Sequence, residues 1–192
     1  MKFKIMEYNK DIYNMKPDTS GKFNKGDYRQ PAFNREKDYL ESKASELEIR
    51  KYFISKGYEF VSEGGYLYDA MFKCTKEPYI VEDWAVKKYW TVEVKESFKS
   101  QLTGNVPIEF QQWGRSTGIA QTQADFWIEK IHEPNGRITF TMMKTSDLKK
   151  MIADKKYFRV AEGGDPGSES KVYLFKVDVF RQHGKTLNIK TY

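Results

Sequence analysis

The sequence predicts an α/β fold: one mixed central sheet flanked by helices. Three observations predict it. Apolar residues recur at near-helical spacing around residues 36–56, several short segments further on alternate with period two, and a second helical stretch is followed by a last strand. Helix, several strands, helix, strand, without internal repeats, is the order of a layered α/β or α+β domain.

Taken in order, residues 1–36 mix charges with Gly, Pro, Asn and Asp and carry no period. They read as an N-terminal arm or extended segment, ordered by partners, and 37–192 reads as a single domain. In the first helix Leu40, Leu47, Ile49, Tyr52, Phe53 and Ile54 form an apolar stripe, and Gly57 ends it. Residues 58–73 predict two strands around Gly64-Gly65, and 74–88, with Pro78, a connection. "YWTVEVKES" (89–97) alternates as a half-buried strand does, and "VPIEFQQW" (106–113) predicts another, with Pro107 at its start. "GRSTG" reads as a turn, and 119–132 as either helix or strand. Asn135-Gly136 predicts a hairpin into "RITFTMM", Ser146 a capped helix. A Gly-rich loop at 163–168 leads to a last strand, "KVYLFKVDVF".

Composition bounds the function. The 192 residues are 39% hydrophobic and 16% aromatic, enough for one domain with an aromatic core. A net charge of +6 and a pI near 9.1 suit a polyanionic partner without requiring one. Cys74 is the single cysteine, which excludes an intrachain disulfide and a Cys-based zinc cluster and fits a reducing cytoplasm. His132 and His183 lie too far apart in sequence for a pre-spaced metal motif. No signal-peptide core or membrane-length apolar run is present, so a soluble protein is expected.

On the 89–97 strand, Glu93 and Lys95 stand at i and i+2 and share one face. A carboxylate binds a hard cation, and a neighbouring lysine orients or deprotonates a water and offsets developing charge. By itself Glu-x-Lys reads as a wet strand face. Asp69, in the middle of the aromatic "YLYDAMF", alters that reading. A carboxylate there is costly unless exposed, paired or bound to a cation.

A carboxylate strand, an intervening segment and a Glu-x-Lys strand resemble the PD-(D/E)xK, or restriction-endonuclease-like, nuclease superfamily. The stretch 103–128 resembles phage-type members in particular, through Thr103, Gly104, Asn105, Ile108, Glu109, Gly114, Arg115, Gly118, Ile119, Thr122, Ala124 and Asp125. Ser116 and Thr117 depart from that pattern, and the Gly-Gly-Asp of 158–170 resembles it. The resemblance implies a restriction-endonuclease-like core and a deoxyribonuclease using Mg²⁺ or Mn²⁺. It implies that Asp69, Glu93 and the Val94 carbonyl hold the metal, and that Lys95 positions or activates the attacking water. A glutamate from the preceding helix, Glu46 or Glu48 and less readily Glu41, would face the site, and Glu109 would be a further ligand or anchor Lys95. The implied partner is DNA, double-stranded or branched, and a homodimer is compatible with it. If the chain is phage-encoded, the setting is a host's cytoplasm.

Between 98 and 128 charges are few and glutamines many. Gln112, Asn105, Arg115, Thr117 and Lys99 are the candidates for DNA contact or water positioning, against the plainer reading of a solvated loop. Asp125 reads as a structural brace. Lys185 and Lys190, near Arg181 and His183, are a phosphate-binding stretch or a solvated tail. Two alternatives stand beside the nuclease: a non-catalytic nucleic-acid-binding or regulatory module on the same core, and a phage structural protein with decorative acids. A rival motif, Gly114–Gly118 with Ser116 as nucleophile and Asp147 and His183 behind it, requires a strand, a sharp turn and a helix.

Overall fold

The structure, a computed structural model, describes residues 35–65, 67–75, 87–163 and 169–189, with side chains from Leu40 onward. The arm up to residue 34, most of the 74–88 connection, the Gly-rich loop at 164–168 and Lys190 lie outside the described residues.

Helix α1 (Arg35–Ser55) leads into strands β1 (Tyr58–Glu63), β2 (Ala70–Cys74) and β3 (Tyr89–Ser97). A short helix α2 (Ser100–Thr103) precedes β4 (Asn105–Gln112) and the two-residue β5 (Arg115–Ser116). A single 3-10 turn (Gly118–Ala120) then enters β6 (Phe126–His132) and β7 (Ile138–Lys144). The chain continues through α3 (Thr145–Ala153), β8 (Arg159–Gly163), β9 (Ser170–Lys176), α4 (Val177–His183) and β10 (Lys185–Leu187).

The expected mixed central sheet is present, with order β1-β2-β3-β6-β7-β10. Its parallel pair is β3 with β6; its other neighbours are antiparallel. A second, antiparallel sheet, β5-β4-β9-β8, was not foreseen. The central sheet is therefore covered on both faces. Trp90, Val92, Val94, Phe126, Ile128, Phe140 and Met142 pack with Ile49 and Phe53 of α1. From the other face Trp127, Ile131 and Met143 pack with Val106, Ile108, Phe175, Leu148 and Phe180. Burial from both sides makes β6 a strand, resolving the helix-or-strand alternative, because nearly every side chain along it is enclosed. Aromatic edges interlock in the first core: the Phe53 and Phe126 rings meet Trp90 edge-on at 4.7 and 5.6 Å between centroids.

Several expected details change. Only Ile49 and Phe53 of the α1 stripe are buried; Leu40, Leu47 and Ile54 are exposed. Polar side chains fill the rest of the buried face, because Ser45 and Glu48 bond Glu96 and Lys130 of the sheet. The turn after β4 is Trp113-Gly114, one residue ahead of "GRSTG". Lys144 rather than Ser146 flanks α3, with no side-chain cap. The last expected strand stops at Lys176, because burial of Val177 and Phe180 three residues apart needs a helical turn. Among the described residues no helix is long and apolar enough to cross a membrane.

Candidate active site

The site forms where β2 leaves the edge of β3. Ala70, the first residue of β2, pairs with Val92. Asp69 lies one position earlier, and its N–H donates to the Val92 carbonyl at 2.8 Å. Its Oδ2 accepts from the Val94 N–H at 2.6 Å, so a side chain continues the ladder where the neighbouring backbone stops. The N–H and C=O of one strand residue point to the same side, so the Val94 carbonyl opens toward Asp69 as well. Asp69 and the Val94 carbonyl, two of the three groups expected to hold a cation, thus adjoin one strand edge.

Glu93 and Lys95 lie on the β3 face opposite Val92 and Val94, as alternation requires. Glu93 is 7% exposed. Its Oε1 meets Lys95 Nζ at 2.6 Å, and its Oε2 accepts from Thr122 Oγ1 at 3.2 Å. Burial pushes the Glu93 carboxyl above the ordinary range; the Lys95 ammonium opposes this, and the Asp69 charge adds to it. For Lys95, burial works to lower the pKa, but the Glu93 and Asp69 carboxylates more than offset it and hold the ammonium above its usual value. With 42% of its side chain exposed, Lys95 keeps enough solvent for the two carboxylates to set the direction. It therefore holds its proton at neutral pH, which suits a positioning cation rather than a base.

Of the helix glutamates, Glu46 is the one near this corner. Burial raises its pKa, the Lys43 ammonium at 2.6 Å lowers it, and the Asp69 charge raises it. Glu48 instead pairs with Lys130 at 2.7 Å, in a buried network that joins Ser45, Glu96 and His132 and fastens α1 to the sheet. The two stand two residues apart, roughly 200° around the helix, and the sequence could not rank them because it did not say which side of the helix meets the site.

Glu109 does not anchor Lys95. Ile108 and Phe110 turn toward the second core, so period two turns Glu109 the other way, half-buried, with its carbonyl packed against Gly118. The acid that faces Lys95 is Glu129, its register partner on the parallel strand β6. Glu129 is 1% exposed; Ser97 Oγ donates to its Oε1 at 2.5 Å and Trp127 Nε1 to its Oε2 at 2.8 Å. Burial pushes its carboxyl up to about 7, against the Ser97 and Trp127 hydrogen bonds and the Lys95 charge. Its sequence signal was the one used for Asp69, a carboxylate inside an apolar run, "FWIEKI".

The candidate DNA contacts separate into two groups. Gln112, Arg115 and Thr117 lie on the β4–β5 hairpin, from which the chain runs through the 3-10 turn to Thr122 and Glu93. Lys99 and Asn105 lie at the other end of β4, roughly 24 Å away along an eight-residue strand. Arg115 is exposed, but Asn105 Oδ1 and Thr117 Oγ1 are buried without a hydrogen-bond partner and are not presented to a ligand. Lys149 of α3, not singled out from the sequence, places Nζ 3.3 Å from the Thr122 carbonyl. Asp125 is the expected brace: its Oδ2 accepts from the Thr91 N–H at 3.0 Å, and its Oδ1 pairs with Lys87 at 2.5 Å. Ser116 stands in an edge hairpin instead of a strand-to-helix elbow, and His183 Nδ1 bonds the Val179 carbonyl.

No group of three or more His, Cys, Asp or Glu side chains able to hold a metal is assembled among the described residues. Asp69 and Glu93 are oxygen donors, the ligand type of hard cations, of which Mg²⁺ is commonly held by one or two carboxylates with water and substrate phosphate completing its shell. No protein-family model, curated protein or solved structure matches the chain.

Proposed function

We propose that this chain is a metal-dependent nuclease that hydrolyses DNA phosphodiester bonds, on a restriction-endonuclease-like core. The observation that carries the reading is the convergence of Asp69, Glu93 and Lys95, with Asp69 bonded to the Val94 N–H between the other two in sequence. Asp69, Glu93 and the Val94 carbonyl would hold Mg²⁺ or Mn²⁺, with Glu46 as an accessory acid. When bound, the ion supplies positive charge against the negative charge that builds on the phosphoryl group. The Asp69 charge beside the buried Glu93 carboxyl raises the proton affinity of Glu93, a local excess of negative charge that a hard cation relieves.

Lys95 donates hydrogen bonds to a phosphoryl oxygen or to the attacking water, fixing its approach. Thr122 keeps the Glu93 carboxylate in orientation from the opposite oxygen.

The test is cleavage of supercoiled, linear and four-way-junction DNA by purified protein with Mg²⁺ or Mn²⁺. Cutting is expected with either ion, and Lys95→Ala is expected to abolish it while leaving DNA binding largely intact. Unchanged cutting by that variant overturns the assignment. The second reading, a non-catalytic nucleic-acid-binding module, is favoured by the engagement of both Glu93 oxygens by Lys95 and Thr122. Salt-sensitive DNA binding without cleavage under any metal supports it.

A further inference from the structure

Helix α1 carries apolar residues on two opposite faces. Ser45, Ile49 and Phe53 turn inward, and Ile49 and Phe53 join the core between α1 and the central sheet. Leu40, Leu47 and Ile54 turn outward and are 59%, 44% and 50% exposed. At about 100° per residue the outward set lies on the far side of the helix from the inward set. The sheet that holds α1 therefore does not compete for this second face.

Its spacing is specific. With exposed Ala44 and Lys51 between them, the outward positions follow in steps of four, three, four and three. That is the seam of a coiled coil, with Leu40, Leu47 and Ile54 at d and Ala44 and Lys51 at a. The flanks differ in sign: Lys43 and Arg50 run along one side of the seam, Glu41 and Glu48 along the other. In a parallel pair of identical helices the basic flank of each copy faces the acidic flank of the other, and Lys43 stands level with Glu48 of the second copy. An antiparallel pair would set like charges against each other. Lys43, Arg50 and Glu48 also pair within the chain, with Glu46, Glu63 and Lys130, so the flank charges choose the orientation more than they add affinity.

We propose that the outward face of α1 is a dimer interface, filled by the same face of a second copy in parallel coiled-coil pairing. The sheet already holds α1 helical, so pairing does not bear the cost of forming the helix. A seam of two heptads then suffices where free helices need three or four. Lys51, the charged a position, weakens the pair but fixes its register. The seam is about 21 Å long, a small interface, and association is expected at roughly 10–100 μM. It requires neither DNA nor metal, so it holds or fails separately from the nuclease reading.

The experiment is sedimentation velocity of full-length protein in EDTA, without DNA, from well below to well above that concentration range. Wild type is expected to pass from monomer to dimer. Leu47→Glu should weaken the dimer at least tenfold and leave the melting temperature of the monomer unchanged, since the side chain is exposed. Lys51→Leu should tighten it at least tenfold. In Ala44→Cys the new thiol meets its copy across the seam and should give a disulfide-linked dimer on air oxidation. Ser42→Cys, also exposed but roughly 200° away around the helix, should not, and native Cys74 is buried. Wild type that stays monomeric throughout overturns the proposal, as does a dimer indifferent to Leu47→Glu and Lys51→Leu. Equal cross-linking at 42 and 44, or none at 44, overturns the parallel pairing. A monomer destabilised by Leu47→Glu also overturns the proposal, because another part of the chain would then cover this face.

Discussion

Replacing Glu129 by glutamine should make the protein more stable, and by an amount that grows with pH. Glu129 is fully enclosed between Ser97 and Trp127, and burial pushes its carboxyl from 4.5 up to about 7. Between those two values the folded protein keeps a proton that the unfolded chain has released. The native state then binds more protons than the unfolded state, so stability falls as pH rises, and the loss is complete above the folded value. A gap of this size, at about 1.4 kcal/mol per pH unit, corresponds to about 3 kcal/mol. Glutamine keeps the shape and the contacts: its carbonyl accepts from the Trp127 N–H and its amide donates to Ser97 Oγ. Glu129→Gln should therefore match wild type in urea unfolding near pH 4.5 and exceed it by about 3 kcal/mol near pH 8.5. Both proteins keep Glu93 and Lys95, so the other shifted groups largely cancel in the comparison. A stability difference that stays constant across this range refutes the reasoning. A variant destabilised at pH 8.5 refutes it more strongly, since it would mean that the ionised carboxylate is stabilised by Lys95.

Asp69→Asn should remove Mg²⁺ or Mn²⁺ binding measured by isothermal titration, with Glu93→Gln doing the same; retained binding would move the metal elsewhere. Lys130→Met strips the cation from Glu48 and buried Glu96 and should cost about 3 kcal/mol in urea unfolding; a change under about 0.5 kcal/mol would show that Ser45 and His132 satisfy Glu96 alone. Gly118→Ala should destabilise by more than about 1 kcal/mol, because an added Cβ would stand 2.3 Å from the Glu109 carbonyl at a φ of 48°. A melting temperature equal to wild type would show that the turn shifts freely.

Much of the central sheet was legible because its signals are local. Period-two alternation at 89–97 and the Asn135-Gly136 turn are signals carried by their own residues, whereas Gly64-Gly65 only opens a longer connection, since Glu63 pairs with Ala70. The second sheet was not legible, since β5 and β8 are short and acquire their hydrogen bonds only from β4 and β9. The same division runs through the site. Glu93 and Lys95 share a face because a strand repeats every two residues, so their neighbourhood follows from composition and period alone. The side-chain pairings depend on strands that meet across many residues. Asp69 reaches Val94 because β2 begins only one residue later, Thr122 reaches Glu93 over a hairpin, and Glu129 replaces Glu109 beside Lys95 because β6, rather than β4, runs parallel to β3. Alternation tells which residues look the same way; only packing between strands tells what they look at.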